Sequence, residues 1–176
     1  TISENLVKGT SIEKYGGYSA STKRKNLLFY TDEQDYMESI QKEFYGSEIT
    51  LDSVRNKLDI SKPIEFYCDI ESSNMIETAG DLLMINPILF SKVTNNPFKL
   101  EKREYPVDYA YPILTNYMAS IEIPEGYAIE NIPTPRKVLM PENGASFLYL
   151  TQQSGNKVIV ISKFHINKAM FLPTEY

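Results

Sequence analysis

The stretch from Asn95 to Pro112 reads NNPFKLEKREYPVDYAYP, and its three prolines restrict what the chain can build there. Each proline fixes φ, removes a backbone donor and pushes the preceding residue toward extended geometry, so the run can be neither a helix nor a long central strand. It is expected to be a fixed crossover, with an Asn-Pro break, a charged patch from Lys99 to Glu104, and Val107, Tyr109 and Tyr111 held between Pro106 and Pro112. Residues before it mix strand and helix patterns. Those after it give short apolar and alternating runs at the spacing of an antiparallel sheet. The expected fold class is therefore mainly β (α+β): an antiparallel β-sandwich with two helices inserted after the first strand, one domain over residues 1–176.

Leu6 to Tyr18 carries Thr, Ile, Val and Tyr among Lys and Glu, which suits a charged edge strand. The helical insertion is expected over about residues 20–45. Its first helix runs from about Ser21 to Phe29, with Ser19 or Ser21 as cap. Thr31-Asp32-Glu33-Gln34 has the form of a capping box, Tyr36, Met37, Ile40 and Phe44 follow at helical spacing, and Gly46 is the expected stop. Ile49 to Lys57 fits a strand or a short helix, the strand being favoured by the turn that follows. Ile64, Phe66, Cys68 and Ile70 then alternate with Glu65, Tyr67, Asp69 and Glu71, a half-buried strand. Gly80-Asp81 reads as a two-residue hairpin turn, and Ile88 to Val93 as an apolar linker. Five short strands are expected after Pro112: Tyr117 to Ile123, Tyr127 to Ile129, Arg136 to Met140, Ala145 to Thr151 and Lys157 to Ile166. Phe171 to Tyr176 reads as the start of a further element.

Chemistry is sparse. Eighteen basic against twenty-three acidic side chains leave a net charge of −5, the wrong sign for a nucleic-acid partner. The basic run Lys23, Arg24, Lys25 is expected to be a solvated helix face or cap. No apolar run approaches the length of a bilayer span, so no membrane span is expected. The first residue is Thr1, with no signal-peptide pattern behind it, which reads as a processed or excised segment. A thiol enzyme needs Cys and His together with a third group orienting the imidazole, and Cys68 and His165 are the available pair. Cys68 falls on the apolar face of its strand, where a thiol packs as a small hydrophobe. His165 shares a face with Ile159, Ile161 and Lys163. Asp69, Glu71, Asp108 and Glu122 show no spacing that marks a catalytic pair. No catalytic residue, metal site or cofactor is expected. Tyr105, Tyr109 and Tyr111, with Tyr117 nearby, are the candidate ligand-binding residues, as a stacking surface for sugars; the absence of tryptophan weakens that platform.

The strings NPFKLEKREYPVDYAYP and GDLLMINPILF, together with GYSASTKRK, IPEGYAIENIP and MPENGASFLY, occur in consistent order over most of the chain. In this the chain resembles the C-terminal region of large Bacteroidetes proteins in which two β-rich domains flank a transglutaminase-like core. The resemblance implies a β-sandwich accessory domain of unknown function in an exported, periplasmic or cell-surface protein. It implies the upstream transglutaminase-like core as partner and a scaffolding or partner-binding role without catalysis. A carbohydrate- or peptidoglycan-binding module is the alternative, and a protein or glycan the further partner. The chain departs from the resemblance in two places. The core's Cys, His and Asp motif has no counterpart, so no catalytic role passes to Cys68, and the chain stops at Tyr176 where family members continue into a helix.

Overall fold

The computed structural model describes residues 2–3, 6–42, 44, 46–88, 95–96, 98–99 and 102–175. The chain is mainly β with antiparallel sheets and two helices after its first long strand. It divides into two compact units, residues 1–86 and 87–176. The division falls at the Asn86-Pro87 break, where proline ends backbone pairing.

The first unit runs β1 (Ile2–Ser3), β2 (Leu6–Tyr15), α1 (Gly17–Phe29), α2 (Glu33–Gln41), β3 (Ser47–Arg55), β4 (Ile64–Ser72), β5 (Ile76–Ala79) and β6 (Leu82–Ile85). Its sheet has the order β1-β2-β4-β3, with β4 antiparallel to both neighbours. β2 and β3 therefore run parallel, and the two helices are the crossover that such a pair requires. Alternation along β4 buries Ile64, Phe66 and Cys68 on one face. The layer over that face is helical rather than a second sheet: α1 contributes Ala20 and Leu27, α2 contributes Tyr36 and Met37, and the Tyr36 ring lies 5.8 Å from Phe66.

Both helices depart from their expected ends. α1 starts at Gly17, four residues before Ser21, and its N-cap Gly16 offers no side-chain bond. Burial of Ala20 supports that extra turn, an instance of packing overriding weak local propensity. α2 is capped one residue later than expected, by Asp32, which accepts a hydrogen bond from Asp35 N at 2.9 Å. The helix closes at Gln41, ahead of Phe44 and Gly46; the expected helical position Tyr45 lies outside the described residues. Gly46 instead takes a left-handed φ of +77°, and a Cβ there would meet the Asn74 side chain at 2.5 Å. The Gln41 amide then docks on the edge of β3, donating to Ser47 O and accepting from Ile49 N at 2.8 Å. Gly80, at φ +61°, turns the β5–β6 hairpin as its sequence indicated.

The second unit contains β7 (Val107–Asp108), β8 (Ile113–Glu122), β9 (Arg136–Leu139), β10 (Ala145–Ser154), β11 (Lys157–Ile166) and β12 (Met170–Phe171). Its sheet order β8-β11-β10-β9 is a Greek key in which a long connection carries the chain from one edge to the other. Four strands form this sheet, not five. Residues 127–129 lie in the irregular connection, between Pro124 and the prolines at 133 and 135. The described part of the Asn95–Pro112 run is irregular apart from β7, which pairs with β12. Pro97, Leu100 and Glu101 of that run, most of the Ile88–Val93 linker, and Tyr176 lie outside the described residues.

Within the crossover Ala110 sits at φ +63°, its N–H donating to the Asp108 carboxylate at 2.7 Å. A Cβ is strained in that region, whereas glycine is not. Ala110→Gly is therefore expected to raise stability by about 0.5–1 kcal/mol, after its larger unfolded-state entropy is counted. A denaturant midpoint at or below that of the wild type would contradict this.

Candidate functional site

Cys68 and His165 sit in different units, and each is occupied locally. Cys68 lies in the middle of β4, opposite Ser11 and Leu51, and is 5% exposed. Burial pushes its thiol up to about 11, the Glu13 and Asp69 charges push the same way, and the Ser11 hydroxyl opposes them. A nucleophilic thiol needs the reverse surroundings. Beside it, Tyr15 donates to the Glu13 carboxylate, and burial raises the Tyr15 phenol as well. His165 Nε2 lies 2.9 Å from Asn116 Oδ1, with Leu114 and Ser146 as its cross-strand neighbours.

The carboxylates considered for acid–base work are spread over both units. Glu71 pairs with Lys8 at 2.5 Å and Asp69 is exposed on the outward face of β4. On that face Glu65 bridges Lys14 at 2.9 Å and the Tyr67 hydroxyl at 2.7 Å. Both donors hold its carboxyl below the usual range. Asp108 caps Ala110, and Glu122 is exposed at the end of β8. Among the described residues, no three His, Cys, Asp or Glu gather as metal ligands, and no helix is long and apolar enough to cross a membrane.

The basic run is not the solvated face its sequence suggests. Lys25 is exposed, while Lys23 and Arg24 are half-buried. Lys23 Nζ lies 4.5 Å above the Tyr15 ring and 3.5 Å from the Tyr36 hydroxyl. Arg24 donates to four backbone carbonyls of the β3–β4 loop: Nε to Lys57 at 3.2 Å, and Nη2 to Asn56, Asp59 and Lys62 at 3.0, 2.8 and 2.8 Å. These acceptors are more than thirty residues away in sequence, so local pattern could not reveal them.

The three candidate tyrosines have different surroundings. Tyr105 is exposed just before Pro106, and Tyr111 is half-buried. Tyr109 meets Phe171 edge-on at 6.0 Å, and its backbone N–H donates to Ala169 O at 2.7 Å. Phe171 in turn packs on Gly144, where a Cβ would come within 2.9 Å of its ring. Tyr117 donates its hydroxyl to Pro87 O, and burial raises its phenol above the ordinary value.

Strand register in the second sheet sorts the remaining side chains into two faces. One carries Tyr117, Ser162, Tyr149 and Arg136 in a single cross-strand row, beside the buried Val160 and Ile166. The other mixes Leu114, Met118, Ile159, Ile161, Leu148, Leu150 and Leu139 with Asn116, Ser120, Glu122, Lys157, Lys163, His165, Ser146, Gln152, Ser154 and Lys137. Met118, Leu114 and Leu139 on that second face are 74%, 63% and 55% exposed.

The architecture of the second unit coincides with a family match. Residues 81–176, more than half of the chain, match the model described as a domain of unknown function with a solved structure, DUF3858. The chain belongs to the DUF3858 family. The match opens at Asp81 in the β5–β6 turn and takes in the whole Greek-key sheet, so both faces just described are features of the DUF3858 region. No curated protein and no solved structure matches the chain.

Proposed function

We propose that this DUF3858 chain is a non-catalytic accessory domain that docks a transglutaminase-like core of the same exported bacterial polypeptide. The observation that carries this is the mixed face of the second sheet, where the apolar side chains Leu114, Met118 and Leu139 stand largely in water. Leu114 and Leu139 lie at opposite edges of the sheet, with Asn116 between Leu114 and Met118, so the surface offers separate apolar contacts set among polar side chains. Lys137 and Lys163 on that face have no acidic partner among the described residues, so the complementary surface is apolar with carboxylates opposite the lysines. The buried thiol and the Asn-bonded imidazole favour a role without chemistry of its own. The resemblance of the sequence to the C-terminal region of transglutaminase-like proteins supplies the partner and the periplasmic or surface location.

The test is direct binding of the transglutaminase-like core, added in trans. Met118→Glu and Leu114→Glu are expected to weaken binding by about tenfold or more each, as loss of a central apolar contact does. Because both side chains point to solvent, the melting temperature should stay within about a degree or two. A core that ignores the wild-type chain, or binds both variants equally well, would rule the surface out.

A further inference from the structure

On the opposite face of the same sheet, we infer that the cleft between Tyr149 and the 131–136 segment binds a carboxylate-bearing saccharide. This site does not rest on the protein docking proposed above, since it uses other residues on the other face. The cleft has a volume of about 480 Å³ and is lined by Asn131, Ile132, Pro133, Thr134, Arg136 and Tyr149. That volume lies within the range of small-ligand sites.

Its construction follows from register. Arg136 is directly opposite Tyr149 in the β9–β10 ladder, so guanidinium and ring leave the same face of the sheet side by side. The segment before β9 is held over that pair because Thr151, two residues beyond Tyr149 on the same face, donates its hydroxyl to Pro133 O. Pro133 and Pro135 fix the backbone, so the cleft is preorganised.

The chemistry of the lining selects the ligand. Arg136, Asn131 and Thr134 are exposed and have no side-chain hydrogen-bond or ion-pair partner among the described residues, so their donors face solvent where a ligand can reach them. A guanidinium fork matches a carboxylate in plane, while the amide and hydroxyl suit sugar hydroxyls. The Tyr149 ring with Ile132 and Pro133 forms an apolar wall for the C–H face of a pyranose. Burial raises the Tyr149 phenol, consistent with a partly dehydrated wall. A peptide lying along the 131–136 segment would fit less well. Strand addition needs alternating backbone donors and acceptors, whereas two prolines remove donors here and Thr151 already occupies the Pro133 carbonyl. This places the glycan site away from Tyr105, Tyr109 and Tyr111.

The experiment is titration of the whole chain with trigalacturonate, its neutral counterpart galactotriose, and a tripeptide with a free C-terminal carboxylate, followed by calorimetry and amide chemical shifts. Trigalacturonate is expected to bind and to shift the amides of 131–136 and of Tyr149. Galactotriose should bind at least about tenfold more weakly, the loss of one charge-assisted contact. Arg136→Gln and Tyr149→Ala should each weaken trigalacturonate by about tenfold or more, while Tyr105→Ala leaves it unchanged. Arg136→Lys, which keeps the charge but not the fork, tests the same contact if the glutamine variant is unstable; it too should lose most of the affinity. No binding at millimolar trigalacturonate, equal affinity for the neutral trimer, indifference to both Arg136 variants, or preference for the tripeptide would each overturn the assignment.

Discussion

Native Cys68 is expected to react with iodoacetamide at pH 8 about a hundredfold more slowly than the same thiol in the urea-unfolded chain. The reactive species is the thiolate, and a thiol held at about 11 in place of its ordinary 9.0 has a far smaller thiolate fraction at that pH. Its 5% exposure slows the reagent further. The same shift sets a pH dependence of stability. Below the ordinary thiol value both native and unfolded chains keep the proton, and the contribution is fully present. As pH rises past about 9 the unfolded thiol ionises first, so the unfolded chain binds fewer protons and unfolding becomes easier; the contribution is lost through about pH 11. Tyr15, raised by the same kind of burial, acts in the same direction. Denaturant midpoints measured from pH 8 to pH 11 should therefore fall, and Cys68→Ser should fall less steeply over the thiol range. Native labelling as fast as unfolded labelling would return Cys68 to consideration as a nucleophile.

What could be read from the sequence was governed by how local the cause is. The alternation Ile64, Phe66, Cys68 reports a strand with one face buried, and those residues are indeed among the most buried of the first unit. The Gly80-Asp81 turn and the β10–β11 hairpin depend on neighbours in sequence and were equally legible. Helix ends were less so: the Thr31–Gln34 pattern points to Thr31, whereas Asp32 caps α2, a difference of one residue that local pattern does not resolve. The extent of α1 depends on Ala20 finding a packed site, which no local signal announces. The second-unit cleft lay beyond sequence reading altogether. Tyr149 and Arg136 are thirteen positions apart in a proline-interrupted region, and become neighbours only because the β9–β10 register puts them opposite one another. The aromatic density of the crossover tyrosines is visible in sequence; whether a guanidinium stands beside a ring is not.

Arg24 is the clearest case of a hidden role, and Arg24→Ala is expected to cost about 3 kcal/mol of stability, as loss of charge-assisted bonds to otherwise capped carbonyls does. The loop it holds joins β3 to β4 and is already constrained at several points. Asn56 is left-handed at φ +55°, the Asn56 amide donates to Pro63 O at 2.9 Å, and the Asp59 carboxylate accepts from the Ser61 hydroxyl at 2.6 Å. Ser61 and Lys62 together hold the Asp59 carboxyl below its ordinary value. The guanidinium ties this loop to α1 by engaging four carbonyls at once, three through a single nitrogen, so the individual bonds do not add. Removing it takes one donor from each of four carbonyls, of which Asp59 O keeps the Lys62 N–H at 3.3 Å, and loosens the β3–β4 loop. A chain of this length should then melt about 6–12 °C lower. Arg24→Lys should recover less than half, because one ammonium cannot reproduce a planar fork reaching acceptors on both sides. Lys25→Ala, one residue on but exposed, should change stability by no more than about 0.5 kcal/mol. Amide exchange supplies the local readout, since protection at residues 57–62 should fall in Arg24→Ala more than in the β10–β11 hairpin. An Arg24→Ala chain that unfolds at the wild-type urea midpoint, with its loop amides still protected, would show that the four contacts contribute nothing to the fold.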